Sequence, residues 1–414
     1  MDQGKKNHAN CVINVMAKPC GAKCNIQCEY CFYLEKQHLY NEINQHVMPE
    51  STLKAFIAQN IEANNNDEVS FIWQGGEPTL AGLDFYRRVV EIQHEYKGKK
   101  NITNFFQTNG IALNDSWCRF FKKNNFIVGI SIDGPKHLHD LYRKTKKNNG
   151  TFDKVMCGIY LLKKHQINFN TLTVISDANV EFSLEIYTFL KEIGSSYLQF
   201  IPLVERKSEV PTKEGLYFVD PDDTQAKVTK WSVSPHQYGQ FLTRIFDEWV
   251  TNDVGKIYVQ MFEVTLAAWM GLGNTLCIFS DSCQGYVAME ANGDVYACDH
   301  FVYPRYLLGN IHQYSLQKIC TSNKAVLFGR KKSMLNRQCL DCKFLPVCGG
   351  GCPKHRFAIS SQGYPKHNYF CESYFRFFEH VTWAMNVMVD MTENNIPIEY
   401  IMSVVHQNKL YLHS

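Results

Sequence analysis

Apolar positions in the first half of the chain follow two alternating rhythms. Short runs rich in β-branched and aromatic residues read as strands: VINVMAK (12–18), VSFIWQ (69–74), TNFFQT (103–108), FIVGISI (126–132), FNTLTVI (169–175) and YLQFIPL (197–203). Longer stretches between them carry the apolar spacing of amphipathic helices, among them ESTLKAFIAQNIEAN (50–64), DFYRRVVEIQHEY (84–96) and EFSLEIYTFLKEI (181–193). Strands separated by helices or crossovers demand a mostly parallel sheet with right-handed connections. Six repeats fall short of the eight of a closed barrel. The expected fold is therefore α/β, an open partial (β/α)6 barrel.

The rhythm breaks over 205–235, a polar stretch rich in Pro and Asp that reads as a long loop joining two modules. Helical patterns resume in HQYGQFLTRIFDEWVTN (236–252) and QMFEVTLAAWMGL (260–272). Two short strands are expected around Asn292-Gly293, a strong hairpin signal. A closing helix is expected in ESYFRFFEHVTWAMNVMVDM (372–391). The expected organisation is a core domain over 11–235, a cysteine-rich domain with its connecting helices over 236–371, and a helical tail over 372–414.

Composition narrows the function. The 414 residues hold 43 basic and 40 acidic side chains, a formal charge of +3 that argues against a nucleic-acid binder. The basic run Arg143-Lys144-Thr145-Lys146-Lys147 is most simply a solvated surface; it could also dock an acidic partner or an electron carrier. The N-terminus does not read as a secretory signal, and no window of 18 apolar residues exists. A cytoplasmic protein is expected. In that setting the sixteen cysteines are more readily metal ligands than disulfides.

The cysteines are clustered. Cys20, Cys24, Cys28 and Cys31 fall in one short stretch after the first strand, the last three spaced C-x3-C-x2-C. Three thiolates on one loop can hold three irons of a four-iron cluster, with one iron open. Cys20 could supply a fourth ligand, as a purely electron-transferring cluster would require. A zinc ribbon would want a second nearby C-x2-C pair, and none is there. Other motif loops follow later strands: GGEP (75–78), QTNG (107–110) and SIDGP (131–135). In a parallel sheet these strand ends share the ligand-binding face.

C-x3-C-x2-C with an aromatic residue, Tyr30, before the last cysteine resembles the signature of radical S-adenosylmethionine enzymes. The resemblance implies that Cys24, Cys28 and Cys31 hold a 4Fe-4S cluster. Its open iron is chelated by the methionine amino and carboxylate groups, and reductive cleavage makes a 5′-deoxyadenosyl radical. It further implies cofactor contacts at Tyr30, Gly76, Glu77, Ser131, Asp133, Arg143 and Val204.

Eight further cysteines are Cys277, Cys283, Cys298, Cys339, Cys342, Cys348, Cys352 and Cys371. Spacing alone allows two zinc sites. The arrangement resembles the SPASM extension of peptide-modifying radical enzymes, which binds two more 4Fe-4S clusters. By that resemblance Cys277, Cys283, Cys298 and Cys352 hold one, and Cys339, Cys342, Cys348 and Cys371 the other, three clusters in all. Cys118 and Cys157 lie in helical patterns and are expected to be buried or half-buried thiols.

Across nearly the whole chain, from KPCGAKCNIQCEYCFYLEK through WQGGEPTLAGLDFY to NGDVYACDHFVYPRYLLGNI, the sequence resembles the anaerobic sulfatase-maturating enzymes. That family oxidises a Cys or Ser of a sulfatase polypeptide, within a Cys/Ser-x-Pro-x-Arg motif, to formylglycine. The resemblance implies a flavodoxin or ferredoxin as electron donor and Asp299 as general base. Tyr33 and Gln74 are candidate walls of the peptide site. Two other readings remain open: a maturase that crosslinks or epimerises another ribosomal peptide, and an iron–sulfur electron carrier. Enzymes of the first kind often carry an N-terminal peptide-binding domain, for which a strand beginning near Cys11 is expected to leave no room. The second leaves the GGEP, QTNG and SIDGP loops unexplained.

Overall fold

Each of the six apolar runs is a strand in the computed structural model, which describes residues 13–40, 47–219, 222–223 and 225–407. Cys11 lies outside the described residues. The strands are β1 (Asn14–Ala17), β2 (Glu68–Trp73), β3 (Asn101–Thr108), β4 (Ile127–Ser131), β5 (Phe169–Ile175) and β6 (Tyr197–Pro202). They pair in chain order, every pair parallel. The crossovers hold α1 (Glu50–Ala63), α2 (Leu83–Tyr96), α3 (Asp115–Lys123), α4 (Lys136–Tyr142), α5 (Phe152–Lys164) and α6 (Ser183–Glu192). Local chemistry sets the starts: the Asn114 side chain accepts from the backbone N–H groups of Ser116 and Trp117, two of the donors that the first turn of α3 leaves unpaired.

Behind the sheet, Phe56, Phe71, Trp73, Tyr86, Phe106 and Trp117 pack edge to face or stacked. The polar side chain of Asn104, buried beside them, is satisfied: it accepts from Trp73 Nε1 at 2.8 Å and exchanges amide hydrogen bonds with the equally buried Gln93.

The stretch over 205–235 is more than a linker. It contains a small antiparallel ribbon, β7 (Arg206–Lys207) with β8 (Lys227–Val228). Between them Leu216 is fully buried against Phe301, Tyr303, Tyr306 and Phe328. The Glu35 carboxylate accepts from the backbone N–H groups of Tyr217 and Phe218. The segment is thus pinned both to the cysteine loop's flank and to the cysteine-rich half.

After α7 (Pro235–Asn252), β9 (Tyr258–Val259) and α8 (Gln260–Trp269), the chain returns to the sheet at its other edge. The hairpin expected around Asn292-Gly293 is β10 (Tyr286–Met289) and β11 (Asp294–Tyr296), extended by β12 (Leu307–Asn310). β10 pairs parallel with β1, so one sheet runs β12-β11-β10-β1-β2-β3-β4-β5-β6-β9. Short helices α9 (Leu316–Cys320), α10 (Asn323–Arg330), α11 (Arg337–Leu340) and α12 (Leu345–Cys348) follow. The closing helix, α13 (Cys371–Glu393), packs along α7, and α14 (Ile401–Gln407) ends the described chain. Of the two thiols expected to be sheltered, Cys118 is buried but Cys157 is exposed. The side chain of Cys157 falls on the outer face of α5, where the apolar spacing did not require burial.

Candidate active site

The motif loops meet where the reading of the strands places them, at the carboxyl ends of β1 to β4. A cavity of about 140 Å³ is lined by Cys24, Cys28, Cys31, Tyr30, Tyr33, Gln74, Gly76, Glu77, Ser131 and Arg143, with Gln107 and Asn109 of the QTNG loop. Cys20 is buried outside it, its thiol pushed up to about 12 by burial and the nearby Glu77. Three thiols, not four, therefore face the cavity. Burial likewise pushes Cys24 up to about 11 and Cys28 to about 12. A cationic partner is needed to hold them as thiolates. The Arg143 guanidinium lowers all three, and its Nε is buried with no hydrogen-bond partner. Three converging thiols beside an orphaned cationic donor fit an anionic iron–sulfur cluster.

The GGEP loop is built into the cysteine loop. The N–H groups of Gly76 and Glu77 donate to the carbonyls of Gly21 and Lys23 at 2.8 and 2.9 Å. A Cβ on Gly76 would lie 2.1 Å from the Lys23 carbonyl oxygen, so no other residue permits this approach. Those two donors are therefore spent on the cysteine loop. The Glu77 carboxylate accepts from Thr79 N and Oγ1, Thr108 Oγ1 and Asn109 N, fastening the β2 loop to the β3 loop. Ser131 is held by Gln107 Nε2 at 2.9 Å.

Asp133 and Val204 do not line the cavity. Asp133 stands behind it: the Tyr30 hydroxyl donates to Asp133 at 2.5 Å, and Arg143 donates to the Tyr30 oxygen at 2.9 Å. Burial raises the Asp133 carboxyl, against the pull of Arg143. Val204 is buried in the core.

Asp299 follows Cys298 in a short turn and is ion-paired with Lys18, the residue after β1. Burial alone would raise its carboxyl, but the Lys18 ammonium and His300 outweigh it and hold Asp299 below the usual carboxylate range. Lys18 is 1% exposed, with its ammonium 3.6 Å from the centroid of the Tyr33 ring. The Tyr33 hydroxyl donates to Glu290, the residue after β10. Lys18 and Glu290 escaped the sequence reading. The signal, in hindsight, is a charged residue closing each of two apolar strands, but nothing local says that β1 and β10 are neighbours.

Eight of the other cysteines stand in two groups of four. Cys339, Cys342, Cys348 and Cys371 line a second cavity of about 410 Å³. Cys277, Cys283 and Cys298 each have Cys352 as the thiol neighbour that most raises them, after burial itself. Among the described residues, no three His, Cys, Asp or Glu side chains converge tightly enough for a single metal ion. Thiols ringed around a space suit a larger cluster better than a zinc ion. The Cys348–Cys352 link is Gly349-Gly350-Gly351, all at positive φ (54°, 71° and 66°). Its carbonyls accept from the Arg356 guanidinium, which sits between the two groups and acts electrostatically on thiols of both.

Comparison with known proteins agrees with this geometry. Residues 19–190 match the Radical SAM superfamily, and residues 277–343 match an iron–sulfur cluster-binding domain, SPASM. The chain is 44% identical, over 96% of each chain, to a serine-type anaerobic sulfatase-maturating enzyme of Bacteroides thetaiotaomicron. The chain belongs to the anaerobic sulfatase-maturating enzymes. It is also 32% identical, over 89% of its length and 96% of the relative's, to a cysteine-type enzyme of Clostridium perfringens. A solved structure of native anSMEcpe with bound AdoMet and Cp18Cys peptide aligns with a TM-score of 0.79 at 29% identity, covering 91% of this chain and 98% of that one. The cavity lined by the three thiols lies between the cysteine loop and the GGEP loop. The Lys18–Asp299–Tyr33 group beside it lies on the side toward the cysteine-rich half.

Proposed function

We propose that this protein oxidises a serine or cysteine of a sulfatase polypeptide to formylglycine without oxygen. The observation that carries this reading is the juxtaposition of the three-thiol cavity with a half-buried carboxylate, Asp299, held ionised by Lys18. Bound at the thiol-lined sites, S-adenosylmethionine and three 4Fe-4S clusters supply the hydrogen-abstracting radical and the relay for the released electron. Cys24, Cys28 and Cys31 hold the first cluster. Cys277, Cys283, Cys298 and Cys352 hold the second, and Cys339, Cys342, Cys348 and Cys371 the third.

The chain's own residues do the rest. Conversion of the side chain –CH2–XH to –CH=X removes one hydrogen atom, one proton and one electron. With serine the product is the aldehyde. With cysteine it is a thioaldehyde, which water converts to the aldehyde with release of hydrogen sulfide. Asp299 accepts the proton from X–H; Lys18 keeps it ionised until then. Tyr33 and Gln74 shape the wall that the peptide meets. Gly76, Glu77 and Ser131 seat the methionine end of the cofactor, and Arg143, braced by Tyr30 and Asp133, balances the cluster's charge. Val204 supports the site from the core.

An acidic flavodoxin or ferredoxin is the fitting donor. Backbone hydrogen bonds from Gln27 to Lys144 and from Glu29 to Tyr142 set the basic run beside the outer side of the cysteine loop. Fifteen described cysteines are free thiols, which suits a reducing, cytoplasmic setting.

The test is an anaerobic assay of the cluster-loaded protein with reductant, S-adenosylmethionine and two peptides, one with Ser and one with Cys before x-Pro-x-Arg. Mass spectrometry should find aldehyde in the serine peptide, the type acted on by the 44%-identical relative's class, and show whether cysteine is also accepted. Asp299→Asn should lower the rate by at least ~100-fold, the usual worth of a positioned base. Deoxyadenosine without aldehyde in either peptide would overturn the sulfatase reading.

A further inference from the structure

Glu290 is buried, acidic and unused by the mechanism above. It follows β10 by one residue, as Lys18 follows β1. The pairing of Ala17 with Met289 sets the two side by side, and the Lys18 N–H donates to the Met289 carbonyl at 2.9 Å. The Glu290 carboxylate accepts the hydroxyl hydrogen of Tyr33. The face of that same ring carries the Lys18 ammonium, which is paired in turn with Asp299. Tyr33 lines the reaction cavity. One carboxylate therefore holds the hydroxyl end of a cavity-wall ring and lies close to the cation that governs the base.

We propose that Glu290, in its ionised form, is a positioning residue for peptide oxidation: it fixes the Tyr33 hydroxyl, and with it the ring whose face carries the Lys18 ammonium paired with Asp299. The inference rests on the reading that Tyr33 and Asp299 face the substrate. With Glu290 ionised, the phenol has an anionic acceptor; with Glu290 protonated, it has lost it.

The groups that act on Glu290 come from every element around it: Lys18 from the end of β1, Tyr33 and Tyr40 from the cysteine loop's flank, Asp294 and Tyr296 from β11, and Asp299 from the turn after Cys298. Burial raises its carboxyl to about 7, opposed by Lys18 and the Tyr33 hydrogen bond and assisted by Asp299 and Asp294. Glu290 thus changes form within the range in which the enzyme can be assayed.

The experiment uses the cluster-loaded enzyme, titanium(III) citrate and the serine peptide from pH 6 to pH 8.5. Aldehyde formation is normalised to deoxyadenosine formed without peptide at the same pH. For the wild type, a single ionisation near 7 lowers the normalised rate about tenfold between pH 8 and pH 6. Glu290→Gln should run at a low rate with no slope, and Glu290→Asp should restore the slope at an intermediate rate. Tyr33→Phe removes the donor that favours the carboxylate, so its slope should move to higher pH. A Glu290→Gln enzyme with the wild-type rate and slope overturns the proposal. If that variant fails to load iron, an unmoved slope in Tyr33→Phe overturns it instead. Asp299→Asn assayed in parallel separates the two readings: full activity there removes Asp299 as base, whereas loss of the slope in Glu290→Gln still supports the hold on Tyr33.

Discussion

Glu77 lies in a motif noticed for its glycines, yet its side chain is what joins two loops. Burial raises its carboxyl, and four hydrogen bonds from Thr79, Thr108 and Asn109 oppose that rise. Glu77→Ala would leave those donors buried without an acceptor, at roughly 1–3 kcal/mol for each one left unsatisfied. The expected outcome is a lower urea midpoint together with weaker S-adenosylmethionine binding by calorimetry; Glu77→Gln, which keeps one acceptor oxygen, should lose less of both. At this scale the sequence was most readable where chemistry is local. Cys24, Cys28 and Cys31 identify themselves by spacing, and all three face one cavity while Cys20 does not. Asp299 is marked by the family resemblance, as the residue directly after Cys298. Lys18 and Glu290 are not, because each acquires its meaning from a partner distant in the chain.

At the scale of elements, the six core strands and the long helices were readable because β-branched runs and amphipathic spacing are strong local signals. Weaker elements were not. β12 is four residues with no alternation of its own, and β9 is two. The pairing of β10 with β1 is a tertiary fact, and it matters most, since it brings Glu290 and the Cys298–Asp299 turn to the strand ends of the first half. The 205–235 segment reads as a loop because its polar composition hides a few buried apolar anchors. Leu216, fully buried among Phe301, Tyr303, Tyr306 and Phe328, is one of them, with Phe218 and Val233. Leu216→Ala should cost about 2–4 kcal/mol, the range for emptying a buried leucine site, read as a lower urea midpoint. An unchanged midpoint would mean that the segment is not clamped in solution.

At the scale of the whole molecule, one sheet carries both the strands whose ends line the three-thiol cavity and the β10–β11 hairpin that leads into the Cys298–Asp299 turn. The net charge of +3 says little, but its placement says more. Charge reversal at Lys144, Lys146 and Lys147 should slow reduction by an acidic flavodoxin about tenfold at low salt, and the difference should shrink as salt screens it. Reduction by titanium(III) citrate should not change; equal flavodoxin rates at all salt concentrations would move the docking face elsewhere. The central claim is that a hydrogen atom leaves the target Cβ within the three-thiol cavity. Its most direct test is a serine peptide carrying two deuterium atoms at that carbon, turned over anaerobically by the cluster-loaded enzyme. The account predicts one deuterium in 5′-deoxyadenosine for each aldehyde formed, with the other retained on the aldehyde carbon. Aldehyde accompanied by unlabelled deoxyadenosine would contradict it.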